Sequence, residues 1–119
     1  ATWCGPCVAE IPFMKAAYEK FHDKGFEIVG VSLDDDHADV AAFLAKTPLP
    51  WTIVHNQKAN PEARDPNAEK LGVEGLPTMF LVDQSGKVVA LHVRGPRLEQ
   101  ELERLLGKPA AGREARAGR

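Results

Sequence analysis

The sequence predicts an α/β domain built on a mixed sheet, and three observations carry that prediction. Helical and strand periodicities alternate, in the order helix, strand, helix, strand, helix, hairpin, helix. The first strand-like run, FEIVGVSLD, is mostly apolar and β-branched, as a buried parallel strand requires. The closing hairpin is antiparallel, which makes the sheet mixed.

Taken in order, the first helix runs from about residue 5 to residue 24. Ile11, Met14, Ala17, Tyr18 and Phe21 repeat at helical spacing, and Gly25 stops the run. Pro12 inside it removes one backbone hydrogen bond and predicts a kink. The strand over 26–34 is followed by Asp34, Asp35 and Asp36, each offering an oxygen to cap the next helix. Val40, Phe43 and Leu44 form that helix's apolar stripe, ending near Lys46. WTIV at 51–54 reads as a strand bounded by Pro50 and Asn56, and 56–67 as loop. A short helix over Pro66–Leu71 stops at Gly72. TMFLVD (78–83) and KVVALHV (87–93) flank Gln84-Ser85-Gly86 as a hairpin. A last helix from Arg97 to Leu106 carries Leu98, Leu102, Leu105 and Leu106 on one face. The domain is expected over 1–107, with 108–119 a disordered tail.

At 119 residues the chain suffices for one core, and a net charge of -2 argues against nucleic acid as a partner. No apolar run approaches the ~18 residues of a membrane span. The two cysteines are too few for a disulfide framework, so packing must supply stability.

Both cysteines fall in TWCGPC, with Cys4 and Cys7 at C-x-x-C spacing. Such a pair serves zinc, an iron–sulfur cluster or redox cycling. Zinc needs four ligands, and His22, His37, His55 and His92 are scattered. A cluster needs four thiolates. Redox cycling needs only the pair. A helix beginning at the motif puts Cys4 at its N-terminus, where free N–H groups favour thiolate over thiol. Pro6 in the first turn costs no hydrogen bond. Trp3 is placed to shield one side of the sulfur. Cys7, one turn further in, is expected to be the more buried of the two and to resolve a mixed disulfide on Cys4.

TWCGPC, Pro12 eight residues after Cys4, and GLPT at 75–78 together resemble the thioredoxin-like superfamily. The added helix–strand unit over about 37–55 and the CVAEIP run resemble its TlpA/ResA-like branch and the related redoxin/AhpC-TSA group. The resemblance covers about 2–107. It implies a three-layer α/β fold, a cis Pro77, and a substrate groove shaped by Trp3, Gly5, Pro6, Leu76 and Pro77, with the Leu76 backbone pairing with an extended substrate. It implies thiol-disulfide exchange with protein dithiols and disulfides, an upstream electron donor, and no cofactor beyond the Cys4–Cys7 disulfide. It also implies a bacterial, periplasmic or outward-facing anchored setting and a monomer. Gly5-Pro6 between the cysteines favours a reductant. By the same resemblance Glu10, three positions after Cys7 on the helix, assists proton transfer; otherwise it is an early-helix carboxylate favoured by the dipole.

In this fold the strand entering the cysteine motif is central, and only Ala1 and Thr2 remain of it. The chain is therefore expected to be an N-terminally truncated fragment whose missing part has room for a membrane anchor. Asp34-Asp35-Asp36-His37 looks like a metal cluster, but capping explains it more simply and no metal site is expected. Trp51 is expected in the core, and His55 and His92 are expected to be structural or solvent-facing. Two rival functions stand beside exchange: a peroxide-reducing redoxin, and a non-catalytic metal- or partner-binding module.

Overall fold

A computed structural model describes residues 1–109, so the tail from residue 110 on lies outside the described residues. The elements are α1 (Gly5–Phe21), β1 (Val29–Ser32), α2 (His37–Lys46), β2 (Thr52–His55), α3 (Pro66–Lys70), β3 (Phe80–Val82), β4 (Val88–Leu91) and α4 (Pro96–Leu106). Pro12 lies inside α1 without ending it. A 3₁₀ turn over His22–Lys24 continues α1 to Gly25, whose φ of 103° only glycine adopts freely. Gly25 N–H then donates to the His22 carbonyl and Phe26 N–H to the Phe21 carbonyl, the paired bonds that close a helix around a left-handed residue. This corrects the expected strand start: Phe26 belongs to the helix cap, and β1 begins only at Val29.

The strands form two sheets of two, β1–β2 and β3–β4, where one mixed sheet was expected. The chain divides into two compact units, residues 1–9 with 28–77, and residues 10–27 with Thr78 onward.

In the first unit β1 and β2 are parallel, with Val29 opposite Thr52 and Ser32 opposite His55. At Gly30 a Cβ would lie 2.5 Å from Ile53 Cδ1, so the tip of that side chain would have to shift to admit one. The expected burial of β1 on both faces is not found. Side chains alternate across a strand, and Val29 and Val31, on one face, are 63% and 41% exposed. Asp36 caps α2 by accepting from Ala38 N–H at 2.9 Å. Asp65 caps α3, accepting from Asn67 and Ala68 N–H, with Pro66 at the first helical position. Trp51 is buried, as expected of a core residue.

In the second unit the antiparallel hairpin pairs Phe80 with Leu91 and carries an irregularity between Leu81 and Val82. Its turn is organised by Asp83, whose carboxylate accepts from Ser85 N–H, Ser85 Oγ and Lys87 N–H, while Gly86 takes φ 90°. Ala17, Phe21, Phe26, Leu81, Val93, Leu98 and Leu102 are the buried apolar side chains of this unit. Leu105, expected on the buried stripe of α4, is instead exposed in the last turn of the helix, while Leu98 and Leu102 are buried. Lys20 and Glu99 form an ion pair at 2.7 Å.

Candidate active site

Cys4 and Cys7 are joined in a disulfide at the start of α1, with Cα atoms 5.2 Å apart. Cys4 precedes the first helical residue. Its N–H donates to the Ala1 carbonyl at 3.1 Å, closing a turn over residues 1–4, and its carbonyl accepts from Val8 N–H to begin the helical ladder. Cys7 N–H, one of the amides without an intrahelical partner at a helix start, donates to Cys4 Sγ at 3.2 Å. The sequence thus builds the site locally: Pro6 has no N–H to waste, and the next free amide points at the sulfur.

The expected order of burial is reversed. Cys4 is buried, at 5% exposed, and Cys7 is half-buried. The turn over residues 1–4 folds back on Cys4, and Cys7 N–H sits on its sulfur, whereas Cys7 lies on the open side of the first helical turn. Trp3 is 68% exposed, while Gly5 and Pro6 are also exposed. Leu76 and Pro77 are half-buried and the peptide between them is cis.

Glu10 is buried. Its carboxylate accepts from Gly95 N–H at 2.8 Å and lies 3.6 Å from Arg94 Nε. Because α1 begins at Gly5, Glu10 lies beyond the first turn, where the helix dipole acts weakly. The dipole reading therefore does not account for it. The carboxylate answers instead to the 94–95 segment.

The three consecutive aspartates have three different fates. Asp36 caps α2, Asp35 pairs with Lys58 at 2.7 Å, and Asp34 is buried. Only the first of these matches the expected capping role. The Asp34 carboxylate accepts from Thr2 N–H at 2.8 Å, from Thr2 Oγ1 at 2.5 Å and from Ser32 Oγ at 2.5 Å. Its backbone carbonyl accepts from His55 Nε2 at 2.7 Å. A carbonyl can only accept, so Nε2 carries a proton, and in neutral His55 Nδ1 is left to accept from His37 Nδ1, its hydrogen-bond partner. His55 is therefore structural. The sequence offered no signal separating Asp34 from its neighbours, since Thr2, which meets both of its carboxylate oxygens, is 32 residues away.

Burial pushes the Asp34 carboxyl up, but the hydrogen bonds from Ser32 and Thr2 outweigh it and hold the group below its ordinary value. At Asp83 the Ser85 hydroxyl, followed by Lys87 N–H, likewise holds the carboxyl down. A carboxylate with a depressed folded-state pKa stabilises the fold above its unfolded value and loses that contribution as pH falls through the folded one. The expected result is a melting temperature that is level near neutrality and falls below about pH 4. Asp83→Asn should flatten part of that fall, and a melting curve with no acid loss would contradict the assignment.

A helix-start disulfide and a cis X-Pro peptide in one α/β chain define a thioredoxin-like redox protein class. The family model described as Redoxin matches residues 1–106, and the chain belongs to that family. The thiol-disulfide oxidoreductase ResA of Bacillus thuringiensis subsp. konkukian is 34% identical over 110 residues, which is 90% of this chain and 58% of that protein. The chain thus spans less than two thirds of that relative's length. Among solved structures, the thioredoxin domain of a thiol-disulfide oxidoreductase from Bacteroides vulgatus is similar at 32% identity and a TM-score of 0.77, over 88% of this chain and 73% of that one. A thiol:disulfide interchange protein from Bacteroides sp. is similar at 32% identity and a TM-score of 0.73, over 92% and 70% of the two chains. The fold is thioredoxin-like α/β.

Proposed function

We propose that this protein is a thiol-disulfide oxidoreductase that exchanges disulfides with protein partners through Cys4 and Cys7. The observation that carries this reading is the Cys7 N–H aimed at Cys4 Sγ from the start of α1 at 3.2 Å. In the reduced protein the same amide donates to a Cys4 thiolate and stabilises it. That thiolate attacks one sulfur of a partner disulfide. The partner S–S bond breaks, a Cys4–partner bond forms, and the other partner sulfur leaves as thiolate. Cys7 gives up its proton and attacks Cys4 Sγ, forming the Cys4–Cys7 disulfide and releasing the second partner thiolate. Two electrons pass to the partner, and no group beyond the cysteine pair is needed. An upstream dithiol donor runs the steps in reverse to restore the thiols.

Trp3, Gly5 and Pro6 are exposed around the pair and form one side of the substrate surface in this reading. Leu76 and Pro77 supply the other, with the Leu76 backbone pairing with an extended segment. In this reading the setting is bacterial and extracytoplasmic, periplasmic or anchored, and the protein acts as a monomer. Among the described residues no helix is long and apolar enough to cross a membrane. The domain is taken to span 1–107.

Cys7→Ser removes the resolving thiol, so the Cys4–partner disulfide should accumulate. Incubated with a disulfide-containing protein, the variant is expected to give a higher-mass adduct on a non-reducing gel that dithiothreitol removes. No adduct, with Cys4 shown to be reduced, would sink the proposal. Peroxide consumption in the absence of a disulfide substrate would favour the peroxide-reducing alternative.

Glu10 is assigned the proton from Cys7 during resolution, on the sequence ground of its helical spacing and on the burial of its carboxylate. Glu10→Gln still offers an oxygen to Gly95 N–H. It is expected to slow resolution by at least about tenfold in single-turnover kinetics while leaving Cys4 alkylation unchanged. Equal slowing of both steps would make Glu10 merely structural.

A further inference from the structure

Asp34 is the least exposed charged residue described, at 2%, and a buried carboxylate is tolerated only when hydrogen bonds replace its water. Those bonds have a direction. Both of its oxygens receive Thr2, one from the N–H at 2.8 Å and one from the hydroxyl at 2.5 Å, so that Thr2 is held by backbone and side chain at once. Asp34 is itself braced: Ser32 Oγ donates to its carboxylate and accepts its own N–H at 3.1 Å, and His55 Nε2 fixes its carbonyl. Thr2 lies in the turn that Cys4 N–H closes on the Ala1 carbonyl, and Cys4 is the next residue but one. The bracing thus runs from the ends of β1 and β2, through Asp34, to the segment that sets where Cys4 Sγ stands against Cys7 N–H.

We propose that Asp34, acting through Thr2, is a positioning residue for the Cys4 nucleophile. This rests on the exchange reading above, in which Cys4 attacks. The grip matters because the Cys7 N–H to Cys4 Sγ contact is a single hydrogen bond of 3.2 Å, and a displacement of about 1 Å at Cys4 abolishes it. The carboxylate acts by geometry and not by its charge. A negative charge near a thiolate would disfavour it, whereas the clamp favours it by keeping the sulfur on the amide.

The two contributions are separable. Asp34→Asn removes the charge but keeps an oxygen for Thr2 N–H and an amide that donates to Thr2 Oγ1. Thr2→Val keeps the charge and the side-chain shape but removes the hydroxyl grip, and Thr2→Ser restores it. Each is made in the full chain carrying Cys7→Ser, so that Cys4 is the single thiol, and its alkylation by iodoacetamide is followed against pH. Thr2→Val is expected to lower the rate at pH 7 by roughly tenfold and move the profile to higher pH. Thr2→Ser and Asp34→Asn should each stay within about twofold of the parent. Circular dichroism on each variant shows whether it is folded. Should Thr2→Val prove unfolded, Asp34→Asn and Thr2→Ser are compared alone: a tenfold loss in either overturns the clamp. So does a folded Thr2→Val with the parent profile. Because alkylation needs no partner disulfide, these outcomes are independent of the trapping result: a Thr2-dependent profile in a protein that traps nothing would sink the exchange reading and leave the clamp standing.

Discussion

Cys4→Ser should abolish reduction of insulin disulfides, leaving the rate at that of the buffer blank. The serine hydroxyl is isosteric enough to keep the turn over residues 1–4 and to accept from Cys7 N–H, so the fold should survive. What it lacks is a low-pKa nucleophile and a sulfur able to carry the mixed disulfide. Every electron in the proposed cycle crosses Cys4, so no parallel route softens the loss. Cys7→Ser differs in kind: it retains the first attack and stops at the adduct, losing turnover but not the initial burst. The pair of variants therefore distinguishes nucleophile from resolving thiol, through turnover in one assay and adduct formation in the other. A Cys4→Ser protein with undiminished insulin reduction would return the protein to the class of binding modules. Reversal of roles, with Cys7→Ser inert and Cys4→Ser trapping, would follow if the greater exposure of Cys7 in the disulfide decided which sulfur attacks. The expectation here is that the amide at Cys4 decides it, because thiolate formation and not access limits a thiol at neutral pH.

The second large effect is on stability. Phe21 is fully buried, at 0% exposed, on the last turn of α1. Its carbonyl also accepts Phe26 N–H, so its place fixes the cap that ends the helix. Phe21→Ala removes a buried ring and leaves a cavity, at a cost of about 3–5 kcal/mol. Against a total that for small domains is about 5–15 kcal/mol, that is a large share. Urea titration should show the midpoint falling sharply with an unchanged slope. Leu105→Ala makes the control: at 38% exposure it should cost less than about 1 kcal/mol. Equal costs at the two positions would mean that the buried line of α4 has been misplaced.

The sequence carried the element order, the helix caps at Gly25 and Asp36 and the turn at Gly86, because each depends on residues within a few positions of one another. It also carried the redox pair, since C-x-x-C at a helix start is a local arrangement whose chemistry follows from backbone amides. It misplaced the start of β1, since Phe26 reads as a strand residue until the paired bonds around Gly25 claim it for the helix cap. It also misjudged Val29 and Val31, because β-branched composition records strand preference and not which face is covered.

What the linear order of residues determined, then, is the chemistry: two thiols, their spacing, and an amide-rich helix start to hold one of them as thiolate. What only the tertiary structure decided is which distant groups hold that arrangement in place. Three adjacent aspartates are indistinguishable as text. Folding sends one to a helix cap, one to a lysine and one to Thr2, because a buried carboxylate must find donors wherever the chain brings them. Glu10 likewise found its partners at Arg94 and Gly95, 85 positions from Gly95 in sequence, where no local pattern points. Periodicity reports neighbours along the chain; hydrogen-bond satisfaction of buried charge is settled in space.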